Sequence, residues 1–126
     1  METTEKKIKF ERSPCPVACT LDLIGDKWTL LIVRDLYSGK KRYGQFQSSP
    51  ENIPTNILAS RLNRLLENDI IKKEPYQNNP VRYEYSLTEK GGELMPILGE
   101  MVKWGEKYIE GSKAMAMNSP TDLKST

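Results

Sequence analysis

The chain has 126 residues, which suits one domain with a single modest core and is too short for two. Charged residues make up 29% and hydrophobic residues 37%, as in soluble globular proteins, and no apolar run approaches the roughly 18 residues of a membrane span. The sequence contains no histidine and no glycine-rich phosphate loop, which argues against most nucleophilic enzymes and nucleotide-binding sites. We therefore expect no catalytic site, no cofactor and no metal, and a net charge of +2 does not by itself indicate a nucleic-acid partner.

The N-terminus, METTEKKIKFERS, is polar and lacks the apolar stretch of a secretory signal. We expect a cytoplasmic protein without a membrane partner, in which the two cysteines are reduced thiols and not a disulfide. Residues 1–12 are predicted to be a flexible segment and residues 13–111 one folded domain. Residues 112–126, which are rich in Ser, Lys, Met and Thr, are predicted to be a disordered tail.

The first half of the domain shows helical patterns separated by glycines. A helix is predicted over residues 16–24, because a proline suits its first position and apolar residues recur at helical spacing until Gly25. Asp26 is the expected N-cap of a second helix, which Gly39 closes. The basic and aromatic segment KKRYGQFQ, residues 40–47, suits one short helical piece.

The next helix, TNILASRLNRLLEND, is predicted to have two different sides. At 100° per residue four leucines, including Leu58 and Leu62, fall together on one side. The other side carries short side chains that can form hydrogen bonds, with Arg61 at its margin. We predict that the leucines face the core and that the polar side faces outward.

A β-hairpin and a long helix complete the domain. The segments IIKKEPY and VRYEYSL flank the turn QNNP, and the second alternates strictly between apolar and polar residues. Thr88 is the expected N-cap of a final helix over about residues 88–110. Its apolar stripe exceeds what the core needs, so we expect a dimer interface there. The predicted interface residues are Leu94, Leu98, Met101, Trp104 and Tyr108.

The element order is that of a winged helix-turn-helix, a mainly α fold with one β-hairpin. Three segments, CPVACTLDLIGDKWTLLIVRDLYSGKKRYGQF, IPTNILASRLNRLLENDII and VRYEYSLTEKGGELMPIL, also resemble the bacterial HxlR-type transcriptional regulators in order and spacing. The resemblance implies a homodimer that binds double-stranded DNA, with the N-terminal and C-terminal helices forming the dimer. It also implies that some members respond to electrophiles or oxidants through the cysteine of the CPV motif.

The chain departs from the family pattern where a glycine usually ends the polar-faced helix. Here the residues are Asn68 and Asp69, which tolerate the left-handed backbone conformation better than other non-glycine residues. Cys19 is a further departure, since it lies outside the family motif. We expect the helix still to end at this position, and the role of Cys19 stays open.

In a winged helix-turn-helix the polar-faced helix enters the major groove and the wing lies against the backbone. Asparagine can bind adenine and arginine guanine through paired hydrogen bonds, whereas cations on turns bind phosphates. Three alternatives remain, a merely solvated helix face, a winged helix that binds only proteins, and a small thiol enzyme, against which the lack of histidine argues. The predicted base-reading residues are Thr55, Asn56, Ser60, Asn63 and Arg64, the predicted phosphate contacts are Lys40, Lys41, Arg42 and Arg61, and the predicted wing contacts are Asn79 and Arg82.

The two cysteines differ in their expected surroundings. Cys15 precedes the predicted helix, where free N–H groups and the helix dipole favour a thiolate. Cys19 lies one turn later among apolar residues, where a thiol is inert. A disulfide between them requires the helix start to unwind, since residues four apart keep their Cβ atoms about 5 to 6 Å apart. For Cys15 a sensor thiol and a structural residue remain equally open interpretations.

Overall fold

A computed structural model describes residues 8–114. The predicted tail from residue 115 onward and the first seven residues of the predicted flexible segment lie outside the described residues. No helix within the described range is both long and apolar enough to cross a lipid bilayer. The elements are α1 (Pro16–Ile24), α2 (Thr29–Tyr37), α3 (Tyr43–Gln47), α4 (Thr55–Glu67), β1 (Ile71–Asn78), β2 (Val81–Leu87), α5 (Glu89–Gly92) and α6 (Met95–Tyr108).

These elements confirm the predicted winged helix-turn-helix with its antiparallel hairpin. The bounds of α1 are those predicted from the sequence. Gly39 closes α2 with a φ of 108°, and Asp69 follows α4 with a φ of 59°, so both occupy the left-handed region as expected. The start of α2 differs, because Asp26 accepts hydrogen bonds from the Trp28 backbone and the Thr29 hydroxyl, and the regular helix begins only at Thr29.

The final helix is not continuous, contrary to the prediction. Thr88 caps α5 as expected, since its hydroxyl accepts a hydrogen bond of 3.0 Å from the Gly91 backbone N–H. The chain then turns at Glu93 and Leu94 before α6 begins. Pro96 explains the interruption, because proline has no N–H to donate one turn back and its ring collides with the preceding turn.

The core lies between α2, α4 and the hairpin, with one turn of α6 closing it. This arrangement corrects part of the predicted dimer interface. Leu98 is buried in this core, and Leu94 packs against it half-buried, because both face inward across the start of α6. The buried apolar side chains of the cluster are Ile32, Val33, Leu36, Phe46, Leu58, Leu62, Leu65, Ile70, Ile71 and Leu98.

Two arginines of α4 bind the junction between α1 and α2. Arg64 donates hydrogen bonds from Nη2 to the carbonyl oxygens of Asp22, at 2.7 Å, and Leu23, at 3.1 Å. These carbonyls end α1, where a helix lacks internal donors and its dipole favours a positive charge. Arg61 forms an ion pair with Asp26, whose oxygen lies 2.7 Å from Nε. Together the arginines fix the rotation of α4 about its axis.

A buried carboxylate joins α2 to the loop between α3 and α4. Asp35 is 4% exposed and accepts hydrogen bonds from the Ser49 hydroxyl and the Arg34 guanidinium. Arg34 also binds both carboxylate oxygens of Glu51, at 2.8 and 2.9 Å. This contact with Arg34 holds the pKa of Glu51 below its ordinary value. The network therefore fixes the turn that precedes α4.

The glycine pair of α5 offers a matched test of packing. A Cβ atom added at Gly91 would lie 2.0 Å from the Ile70 carbonyl oxygen, whereas one at Gly92 would meet open space. We expect Gly91→Ala to lower the free energy of unfolding by at least about 2 kcal/mol, as overpacked positions do. Gly92→Ala should leave it unchanged or raise it by up to about 1 kcal/mol. Urea denaturation measures both, and equal effects would contradict the packing described here.

A second test uses the ion pair between Asp26 and Arg61. Burial raises the pKa of Asp26, but the hydrogen bonds from Arg61 and Thr29 outweigh it, so the pKa lies below the ordinary 3.8. The ion pair therefore stabilises the fold above about pH 3.8. This stabilisation is lost as the pH falls through the pKa that Asp26 has in the folded protein. We expect the free energy of unfolding to fall between about pH 5 and pH 3.

In Asp26→Asn this fall should be smaller, because the substituted side chain does not titrate. The exposed Glu93 supplies the control, since Glu93→Gln should keep the pH dependence of the unsubstituted chain. Chemical denaturation at a series of pH values makes the comparison. An unchanged pH dependence in Asp26→Asn would show that the ion pair does not stabilise the fold.

Candidate nucleic-acid interface

The outward face of α4 is uncharged from Thr55 to Asn63, and the exposed Glu67 ends it one turn later. The five exposed side chains before Glu67 are all short, and four of them can donate or accept hydrogen bonds. The fifth, Ala59, was not among the predicted contacts because it has no polar atom. We call this surface the α4 face, and its residues are Thr55, Asn56, Ala59, Ser60 and Asn63.

Both arginines predicted to lie on this surface bind elsewhere. Arg64 was predicted to read bases, but its guanidinium turns inward to the carbonyls that end α1. Arg61 was predicted to bind a phosphate, but it pairs with Asp26 and its side chain is 20% exposed. A second nitrogen of Arg61 donates to the Ser60 hydroxyl oxygen at 3.1 Å. Both arginines therefore make contacts within the chain that hold α4 in place.

Residues of α3 position the start of α4. The Tyr43 hydroxyl donates to the Thr55 carbonyl at 3.1 Å, and the Gln47 side-chain amide donates to the Thr55 hydroxyl at 3.3 Å. Sequence reasoning missed both residues, because nothing in the short helical segment indicates that its side chains contact the first residue of the following helix. Gln47 is exposed and lies beside the α4 face, which it extends by one amide side chain.

The three cations before α3 that are predicted to contact phosphates have different surroundings. Lys40 donates to the Ser49 hydroxyl at 2.6 Å and so belongs to the buried network around Asp35. Lys41 has an exposed side chain, while its carbonyl accepts a hydrogen bond of 2.8 Å from the Tyr85 backbone. Lys40 is therefore held by contacts within the protein, whereas Lys41 has an exposed side chain, and the phosphate contacts stay predictions.

Arg42, the third of these cations, fixes the wing. Its guanidinium binds the Glu84 carboxylate at 2.9 and 3.1 Å and lies 3.8 Å from the centre of the Tyr76 ring. The strand register shifts between Pro75 and Gln77, which makes Tyr76 the extra residue of β1. Both contacts hold Arg42 against the hairpin, and its side chain is 50% exposed, so the phosphate contact predicted for it stays a prediction.

The wing tip is exposed at both predicted positions. Asn79 lies in the turn and Arg82 on β2, and no ion pair found in residues 8–114 includes Arg82. Two further cations, Lys72 and Lys73, are exposed on β1, and Lys73 lies 4.3 Å from the centre of the Tyr83 ring. Sequence reasoning omitted these lysines because either side of the hairpin could have faced the solvent.

The two cysteines differ in exposure, and both form a hydrogen bond with Ser13. Cys15 is exposed at the N-cap of α1, and its backbone N–H donates to the Ser13 hydroxyl at 3.0 Å. Cys19 is partly buried, and its thiol donates to the Ser13 carbonyl oxygen at 3.2 Å. Both thiols are free. Their placement agrees with the contrast expected from the sequence, an accessible Cys15 and a more enclosed Cys19.

An apolar surface covers α1 and the outer side of α6. Val17 and Leu21 of α1 are 66% and 54% exposed. They line a groove of about 500 Å³ together with Ile97 and Met101 of α6. We call this surface the α1–α6 face, and its exposed residues are Val17, Leu21, Ile97, Met101, Trp104 and Tyr108.

The chain is similar to known regulators in sequence and structure. A sequence profile described as HxlR-like helix-turn-helix matches residues 23–113. The HTH-type transcriptional regulator YdeP of Bacillus subtilis is 42% identical over 94 residues, which cover 75% of this chain and 73% of YdeP. YvaP of the same organism is 34% identical over 112 residues, covering 89% of this chain and 97% of YvaP.

Two solved structures of regulators superpose on the chain. The redox regulator HypR in its oxidized form has a TM-score of 0.69 at 38% identity and covers 76% of this chain and 99% of that chain. The reduced form of the transcriptional regulator YodB from B. subtilis has a TM-score of 0.64 at 31% identity, covering 80% of this chain and 100% of that chain. On these matches the chain belongs to the HxlR-like helix-turn-helix family.

Proposed function

We propose that this protein is a transcriptional regulator that binds operator DNA as a homodimer, with α4 in the major groove. The observation that carries the proposal is the exposed α4 face, a row of short side chains, four of which can form hydrogen bonds, whose first residue is held by α3. An α-helix fits the major groove, and side chains of this kind reach base edges there. The matched relatives, whose names describe HTH-type transcriptional regulators, support the same function.

The proposed phosphate contacts lie outside α4. Lys41 lies before α3, and Lys72, Lys73 and Arg82 lie on the wing, all with exposed side chains. Contacts between such cations and phosphates release condensed counterions, so they supply affinity that depends on salt and not on sequence. Base readout then remains with the α4 face.

The proposed partner in the dimer is a second copy of this chain. The α1–α6 face exposes large apolar side chains on two elements, and extended patches of this kind mark interfaces. The ring centres of Trp104 and Tyr108 are 5.3 Å apart, so the two aromatic side chains lie together on this face. A two-fold dimer presents two α4 helices, and we expect an inverted-repeat operator with half-sites about one helical turn apart.

We propose further that Cys15 couples this dimer to a small electrophile or oxidant. The thiol is exposed at the first turn of α1, and Val17 of the α1–α6 face lies two residues later. A group added to Cys15 would therefore change the packing between the two copies and the separation of their α4 helices. The likeness to HypR, which is described as a redox regulator, supports this part of the proposal.

The first test compares two adjacent lysines. Lys41→Ala should weaken binding to every duplex and lower the slope of log affinity against log salt by about 1, because one phosphate contact is lost. Lys40→Ala removes the same charge from the next residue, whose side chain binds Ser49, and should leave the slope unchanged. Fluorescence anisotropy over a salt series measures both.

Equal slopes for Lys41→Ala and the unsubstituted protein would contradict the proposed phosphate contact. Absence of salt-dependent binding to any duplex would contradict DNA binding itself and would favour a winged helix that binds only proteins.

The second test addresses Cys15. After treatment with hydrogen peroxide, the affinity for operator DNA should change in the unsubstituted protein and in Cys19→Ser, and should stay constant in Cys15→Ser. The two serine variants differ only in which thiol is lost, so each serves as control for the other. A peroxide response that persists in Cys15→Ser would exclude Cys15 as the sensor.

A further inference from the structure

The composition of the α4 face restricts which bases it can recognise. Its five side chains come from Thr, Asn, Ala, Ser and Asn, and none of them carries a charge; the exposed charged residue of α4, Glu67, lies one turn beyond Asn63 at the end of the helix. Asn56 and Asn63 are seven residues apart, two helical turns, so they lie on the same side. With a rise of about 1.5 Å per residue they are separated by about 10.5 Å, close to three base-pair steps.

Guanine recognition is disfavoured on this face. The commonest specific contact to guanine is a paired hydrogen bond from arginine or lysine to its O6 and N7 atoms. The two arginines of α4 are occupied, Arg61 by Asp26 at 2.7 Å and Arg64 by two carbonyls that end α1. If Arg64 turned outward to a base, these carbonyls would lose their hydrogen-bond donor. That loss costs free energy, so the inward position of Arg64 is favoured.

The same face suits A·T pairs. An asparagine amide matches the N6 and N7 atoms of adenine, and a methyl side chain such as that of Ala59 contacts the C5-methyl group of thymine. Serine and threonine hydroxyls bond to donors or acceptors of either pair, so Thr55 and Ser60 do not oppose this preference. Three of the five positions therefore favour A·T, and none favours guanine.

We infer that α4 reads an A·T segment of about four base pairs in each half-site, in which Asn56 and Asn63 bind adenines and Ala59 contacts a thymine methyl group. This inference rests on the proposed function and adds the base composition of the target. Any guanine of the operator is then contacted from outside α4, where Lys41 and the wing cations lie.

The experiment begins with selection of bound duplexes from a random pool by the full chain. The selection is repeated with Asn56→Ala and with Asn63→Ala. The operator positions at which a variant loses base preference are the positions that the substituted asparagine reads. Asn79→Ala, a wing substitution of the same type, is the matched control and should leave those positions unchanged. Each asparagine substitution should weaken binding to the selected duplex about 5- to 150-fold, the range expected for one paired hydrogen bond.

Modified duplexes provide a test that needs no protein variant. Replacing the adenines of the segment by 7-deazaadenine removes the N7 acceptor, and replacing its thymines by uracil removes the methyl group. Both should weaken binding by the unsubstituted protein. Ala59→Gly should lose sensitivity to the uracil replacement while keeping sensitivity to 7-deazaadenine.

The outcomes separate the inference from the proposed function. A selected operator with G·C pairs at the positions that relax in the asparagine variants would overturn the inference while leaving the protein a sequence-specific DNA-binding regulator. Undiminished binding to both modified duplexes would also overturn it. Failure to select any duplex would overturn the proposed function, and the inference with it.

Discussion

The binding of Arg64 to the end of α1 is the contact on which the DNA-binding surface depends. It gives the last carbonyls of α1 a donor and places a positive charge where the helix dipole favours one. It also sets the side of α4 that faces outward, together with the ion pair between Arg61 and Asp26. The two strongest potential DNA ligands of α4 are thus used to orient the helix, and short neutral side chains remain exposed.

Similar contacts orient the other parts of the surface. The buried Asp35 and its partners fix the loop before α4, and Arg42 binds Glu84 and Tyr76 to fix the wing. Main-chain pairing between Lys41 and Tyr85 links the segment before α3 to the same hairpin. Several charged residues of the described range therefore act as connectors between elements, and the proposed phosphate contacts are left to cations such as Lys41 and Arg82.

Periodicity and capping residues were sufficient to predict most of the fold. The bounds of α1, the two-stranded hairpin, the cap at Thr88 and the left-handed ends at Gly39 and Asp69 all follow from local preferences. The interruption before α6 was missed, although Pro96 is visible in the sequence, because the apolar stripe continues through it. Periodicity and capping thus predicted most helices and strands. They were less reliable at Pro96, where an apolar stripe indicated a continuous helix and the proline indicated a break.

The site was less predictable, because a helical wheel shows on which side of a helix a residue lies but not which residues of other elements its side chain contacts. Arg64 falls on the polar side of α4, yet its long side chain reaches back to carbonyls contributed by α1. Arg42 looks like a free cation until the hairpin brings Glu84 beside it. The apolar stripe of the last helix was likewise divided between core and surface, with Leu98 buried and Trp104 exposed. Short side chains such as Asn56 are placed correctly from the wheel because they cannot reach another element.

The most direct test of this account is a crystal structure of the dimer bound to a selected operator. We predict that the α4 face meets base edges in the major groove while Arg64 keeps its hydrogen bonds to Asp22 and Leu23 and Arg61 keeps its pair with Asp26. A structure in which Arg64 leaves α1 and binds a guanine would contradict it.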